Sequence, residues 1–147
     1  MVHKYEGTIE RFIGDGFLVL FNDPLPCPDP AARAIRMATE MRACMARLSE
    51  TWRKHGHELG FAMGIAHGYA TLGRIGFEGR FDYSAIGTVV NLAARLCSQA
   101  LAGQILIDPK VYAAVEAEVD AEPAGELTLK GLSRAIRAFN IKTLVAA

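Results

Sequence analysis

The stretch Asp82-Tyr83-Ser84-Ala85-Ile86-Gly87-Thr88-Val89-Val90-Asn91-Leu92-Ala93-Ala94-Arg95 decides how this chain is read. Residues 81–86 read as a β-strand, which Gly87 ends. A short helix over 89–100 follows, in which Val90, Ala93, Ala94 and Cys97 share a face. Asn91 and Arg95 stand four apart and so project together from that helix. An amide and a guanidinium placed this way can hold a ribose oxygen and a phosphate oxygen at once. The same pair also describes a solvated helix face carrying an ordinary surface ion pair, and spacing alone does not separate the two.

Working outward, residues 59–66 and 70–75 read as strands divided by His67-Gly68. Before them lies the longest helical signal, opened by Asp29 as N-cap and Pro30 at the first helical position. Ala34, Ala38, Met41, Met45, Leu48 and Trp52 recur there at steps of three or four, and Gly56 closes the helix. Nearer the N-terminus, 8–13 and 17–21 flank Gly14-Asp15-Gly16 as a hairpin, although three residues is not the ideal two-residue link. Beyond the central helix come a strand at 104–107 and a helix from Asp108-Pro109 to residue 117. Strands around 126–130 and at 136–141 complete the chain. The order ββαβββαβαββ predicts one α+β domain over 1–147, a ferredoxin-like mixed or antiparallel sheet with packed helices, not a Rossmann sheet. GxGxxG and GxxxxGKS phosphate loops are both absent.

Composition excludes several classes. Sixteen basic residues balance sixteen acidic ones, so no global charge draws the chain to nucleic acid or anionic lipid. Apolar residues at 51% and charged residues at 22% suit a globular core, and no apolar run spans a bilayer. Cys27, Cys44 and Cys97 have no metal-ligand spacing and read as buried, reduced thiols, which makes a cytoplasmic protein the expectation.

Two further segments carry chemistry. Asp15, between glycines at a hairpin turn, presents its carboxylate beyond the sheet, where a hard divalent cation bridging to phosphate fits; capping its own turn is the plainer use. Lys130, ahead of Gly131, can reach a phosphate as a mobile point charge, as can any strand-end lysine. Taken together with the central stretch, FIGDGFLVLF, GRIGFEGRFDYSAIGTVVNLAARL and ELTLKGLSRAIRAFNI resemble, in order and spacing, the catalytic domain of class III adenylyl and guanylyl cyclases. The resemblance runs from about residue 6 to 141, and the NLAAR helix after a DYxxIG strand is its most specific part.

The resemblance implies a role for each position. Asp15 looks like a metal-binding aspartate. Arg11 falls where a base-contacting lysine usually sits, and Ser84 at the partner base-selecting position. Asn91 looks like the residue that orients the ribose, Arg95 like the one that stabilises the phosphorus transition state, and Lys130 like a contact to the β- and γ-phosphates. It further implies ATP or GTP as substrate, Mg²⁺ or Mn²⁺ as cofactor, and a homodimer with the site divided between protomers. The arm over 73–82 would reach across to the partner.

The chain also departs from the pattern. Family members begin with a strand bearing a first metal aspartate, and no carboxylate with that context precedes Asp15. An unpaired sheet edge or gap is therefore expected. Thr88-Val89 replaces a more usual acidic or amide residue followed by threonine, and Tyr69 stands where some members carry a phosphate-binding arginine. A catalytically weak or inactive module for dimerisation or nucleotide sensing is the alternative reading. A diguanylate cyclase shares the glycine–acid hairpin but has no counterpart of the NLAAR helix or the LKG segment. In a plain α+β binding domain, every motif would be scaffolding.

Overall fold

The computed structural model describes residues 1–146. A 3-10 turn, Val2–Tyr5, precedes β1 (Thr8–Ile13), β2 (Gly16–Leu20) and α1 (Pro30–Arg53). Then follow β3 (Met63–Ile65), β4 (Thr71–Phe77), β5 (Arg80–Ile86) and α2 (Thr88–Gln99). The chain continues through β6 (Ile105–Ile107), α3 (Pro109–Val115), β7 (Val119–Leu127) and β8 (Ile136–Leu144). The element order is the one the sequence predicts.

The strands fall into three sheets. Four form a mixed sheet in the order β3-β6-β8-β7, parallel only between β3 and β6. The pairs β1–β2 and β4–β5 are separate antiparallel hairpins. Among the described residues β3 pairs with β6 alone, so its other edge is open.

Burial follows from β6. Ile105, Leu106 and Ile107 are all buried, the mark of a strand covered on both faces. Because side chains alternate along a strand, Ile105 and Ile107 meet Ile35 and Ala38 of α1 and Val111 and Val115 of α3. Leu106 points the other way, to Leu92 and Leu96 of α2 and to Leu127 and Ala138. Each fully buried branched side chain contributes about 1.5–3 kcal/mol. The helix that bears Asn91 and Arg95 is thus fastened by its own small core on one side of the sheet.

Gly64 sets how closely α2 approaches. A Cβ built there would lie 2.3 Å from the Cys97 nitrogen and 2.4 Å from the Ala93 carbonyl oxygen, so β3 backbone touches helix backbone. Only glycine leaves that room. At the far side of the sheet Arg42 of α1 donates from its two terminal nitrogens to the carbonyls of Ile141 and Lys142, both at 2.7 Å. Burial holds its guanidinium below the ordinary arginine value.

Several boundaries differ from expectation, each for a local reason. The strand expected over 59–66 shortens to β3, since residues 58–60 are exposed and pair with no strand among the described residues. The strand expected around 126–130 runs instead from Val119 to Leu127. Acidic residues and Pro123 disguise it, and an edge strand with two register shifts accommodates them. The α1 stripe is buried through Ala38, whereas Leu48 and Trp52 are exposed. Asp29 does not cap α1; its carboxylate pairs with Arg33 and Arg36. Asp108 does cap α3, accepting from the Val111 nitrogen at 2.9 Å. Of the three thiols, all free, only Cys27 is buried.

Candidate active site

The two hairpins and α2 supply the residues singled out by the sequence. β1 and β2 pair from Thr8↔Leu20 to Ile13↔Gly16, which leaves Gly14 and Asp15 as a two-residue turn. The expected three-residue link is therefore one residue shorter, because Gly16 joins β2. Gly14 has φ 59°, the positive value a hairpin turn of this length favours at its first central position. Asp15 stands exposed at the tip and makes no ion pair among the described residues. Its charge reaches α2: partial loss of hydration raises the pKa of the otherwise exposed Cys97 thiol, and the Asp15 carboxylate adds to the rise.

Arg11 and Ser84 come together in a single cleft. Pairing slips between Ile9 and Arg11, so Glu10 is an inserted, bulged residue. In a regular strand Glu10 and Arg11 would face opposite ways. Here both line a cleft of about 390 Å³ with Thr8, Pro24, Asp82 and Ser84. Asp82 and Ser84 are two apart on β5 and share a face. The Glu10 side chain is only 1% exposed. One of its oxygens accepts from the Ala85 nitrogen at 3.4 Å. The other lies 2.7 Å from the Arg11 Nε, a charge contact in which the N–H does not aim at the oxygen and no hydrogen bond forms.

Asn91 and Arg95 lie on the exposed side of α2, where neither side chain has a hydrogen bond or ion pair among the described residues. Leu92 and Leu96 take the inner face. The apolar face expected from Val90, Ala93, Ala94 and Cys97 is thus turned by about one position, with Ala94 and Cys97 exposed. Lys130 lies past the end of β7, not on it, in a turn where the Leu132 nitrogen donates to the Leu129 carbonyl at 3.2 Å. Leu129 is buried and anchors the turn; Lys130 is exposed and has no ion-pair partner among the described residues. Asp15, the Asn91–Arg95 pair and Lys130 are three separate exposed stations with no hydrogen bond or ion pair linking them.

Among the described residues no group of three or more His, Cys, Asp or Glu side chains gathers as a metal site. Asp15 offers one carboxylate. That suits a Mg²⁺ taking its other ligands from phosphate and water, and does not amount to a two-carboxylate clamp. No helix described is long and apolar enough to cross a membrane.

A model of the adenylate and guanylate cyclase catalytic domain matches residues 3–143. The chain belongs to that family. By family it is a nucleotide cyclase domain, a phosphorus–oxygen lyase, and its mixed α+β fold agrees. It is similar to the adenylyl cyclase CyaB from P. aeruginosa, at 36% identity and a TM-score of 0.88, over 97% of this chain and 74% of that structure. It is likewise similar to the guanylyl cyclase Cya2, at 30% identity and a TM-score of 0.89, over 98% of this chain and 74% of that one. Adenylate cyclase 1 of Rhizobium meliloti is 29% identical across 100% of this chain, which amounts to 23% of the relative. The match to an uncharacterised Mycobacterium tuberculosis protein, 37% identical, covers 17% of that protein's length. The chain therefore spans less than a quarter of the curated relatives it matches.

Reading from sequence gave Asp82 no role in the cleft and missed Glu10 altogether. Asp82 was open to detection, since it lies two residues from Ser84 on a strand. Glu10 was not, because a bulge is a property of two strands in register.

Proposed function

We propose that two copies of this chain convert ATP or GTP to the 3′,5′-cyclic nucleotide and pyrophosphate in sites shared across their interface. The observation that carries this reading is the cleft that joins Arg11 of one hairpin to Ser84 of the other. Arg11 retains terminal guanidinium donors, and the Ser84 hydroxyl both donates and accepts; together these suit the edge of a purine. One strand-to-helix step beyond Ser84, Asn91 orients the ribose and Arg95 meets the α-phosphate. The ribose 3′-oxygen forms a bond to the α-phosphorus, loses its proton to solvent, and the bond to pyrophosphate breaks. Arg95 offsets the charge that grows on the phosphoryl oxygens, and Lys130 holds the departing phosphates.

Asp15 of the partner copy supplies a carboxylate to the divalent cation, Mg²⁺ or Mn²⁺, that accompanies the triphosphate. When bound, such a cation acidifies the attacking hydroxyl and neutralises phosphate charge. Apolar surface supports the two-copy arrangement. Phe77 and Phe81 on the β4–β5 arm and Phe12 and Ile13 beside Asp15 are all more than half exposed, a distribution that marks surfaces covered by a partner. We place this chemistry in the cytoplasm, where nucleoside triphosphates and free thiols coexist.

Cyclic nucleotide release measured with Mn²⁺ and either triphosphate tests the reading. Arg95→Ala and Asn91→Ala are each expected to lower kcat about 10²–10³-fold, the range for removing one transition-state donor. An active chain indifferent to both changes refutes the assigned site. The single carboxylate at position 15 supports a second reading, a cyclase-fold module that senses nucleotide or dimerises without turnover. Tight nucleotide binding with no product would favour it.

A further inference from the structure

We propose that Glu10 is a positioning residue for base recognition, holding the Arg11 guanidinium and joining the two hairpins that form the purine cleft. The inference rests on the reading of that cleft given above. Three observations carry it. The Glu10 side chain is 1% exposed, and a buried carboxylate is retained only where charge and hydrogen bonds offset its lost hydration. It is brought inward by a bulge, a device that re-aims side chains beside functional sites. It also spans the cleft. One oxygen takes the Ala85 N–H, next to Ser84, while the other sits 2.7 Å from Arg11 Nε. Among the described residues this is the one side-chain hydrogen bond between the β1–β2 hairpin and β5.

The consequence is geometric. With Nε held by charge against Glu10, the Arg11 guanidinium is restrained and its two terminal nitrogens remain for a ligand. Arg11 can then read the edge of a base as a fork. Arg11 is half exposed even beside Glu10, so the Glu10 carboxylate is what limits its rotamers; without it the guanidinium would become a diffuse positive charge that attracts any nucleotide through its phosphates. Loss of Glu10 should therefore blunt discrimination between purines more than it weakens binding overall.

The test is titration calorimetry of the chain with ATP and with GTP in the presence of Mn²⁺, comparing wild type, Glu10→Gln, Arg11→Ala and the double variant. The affinity ratio for the two nucleotides is taken within one preparation, so a partly unfolded sample still reports. We expect Glu10→Gln to bring that ratio at least threefold closer to unity. The double variant should match Arg11→Ala, because glutamine keeps an oxygen for the Ala85 N–H and removes only the charge that acts through Arg11. Where the chain turns over, Glu10→Gln should raise KM with kcat within twofold, a split that general loosening of the fold would not give. A wild-type ratio that Arg11→Ala alters and Glu10→Gln leaves intact overturns the role of Glu10 only. No nucleotide binding, or a ratio that Arg11→Ala leaves unchanged, overturns the reading of the cleft and this inference with it. Should Glu10→Gln fail to fold, Glu10→Asp keeps the charge, shortens the reach by one methylene and carries the same comparison.

Discussion

The four-stranded sheet and the two hairpins are built on opposite principles. In the sheet, β6 is buried on both faces, α1 and α3 cover one side, α2 the other, and the buried Asp108 is engaged as a cap. In the hairpins, two strands stand alone in each case and large apolar residues such as Phe12, Phe77 and Phe81 face outward. A single copy therefore fills the core of its sheet, apart from the open edge of β3, and leaves its hairpins unfinished. The residues proposed for base and metal all sit on the hairpins, while Asn91 and Arg95, proposed for ribose and α-phosphate, sit on α2, whose backbone the sheet touches at Gly64, and Lys130 follows β7 in a turn. In the proposed site, rigidity lies where the transition state would be met, and openness where a partner and a substrate would enter.

The strongest way to break this contrast is to disturb the seat of α2. Gly64→Val places branched carbon against the backbone of Ala93 and Cys97 and should cost about 3 kcal/mol or more in urea unfolding, as severe overpacking does. If the loss were under about 1 kcal/mol, α2 would not be held as described. A different outcome is expected from the arm. Replacing Phe77 and Phe81 together with serine should leave the unfolding free energy of the isolated copy within about 0.5 kcal/mol of wild type. Light scattering should show the mass of the larger species falling to that of one copy. A stability loss like that of a core deletion would place these rings inside the fold and erase the distinction.

The smallest effect sharpens the sheet side. Burial holds the Asp108 carboxyl above the ordinary carboxylate range, while the N–H groups of Val111 and His67 act against the rise. A carboxyl whose folded pKa is raised takes up its proton earlier in the folded chain than in the unfolded one. Folding then gains as the pH falls through that raised value, and the gain is absent at neutral pH. Asp108→Asn keeps a capping oxygen and removes the buried charge. It should change stability at pH 7 by no more than about 1 kcal/mol and flatten the dependence on the acid side of neutrality. A steeper pH dependence in the variant would contradict the burial argument.

The element order was legible because its signals are local. Pro30 opens a helix, Gly14 permits a tight turn, and Gly87 separates strand from helix within a few residues of chain. The family was legible for a similar reason, since its motifs are contiguous. What stayed hidden depends on residues far apart. The bulge at Glu10 exists only against β2, and the shared cleft only when β1 meets β5. The first part of β7, before residue 126, escaped notice because Glu122, Pro123 and Gly125 make a poor strand alone and an acceptable one at the edge of a sheet. The inner face of α2 was displaced by about one position because Val90 and Cys97 are as apolar as Leu92 and Leu96. Only the sheet beneath decides which row it covers.

Arg42 deserves one last consequence. β6 begins at Ile105, so β8 runs past its neighbour, and the carbonyls of Ile141 and Lys142 would lie bare along that side. The α1 guanidinium takes both, standing in for the stretch of strand that is not there. A passing chain therefore finds those acceptors already spoken for, and a helix side chain guards that stretch against edge-to-edge aggregation.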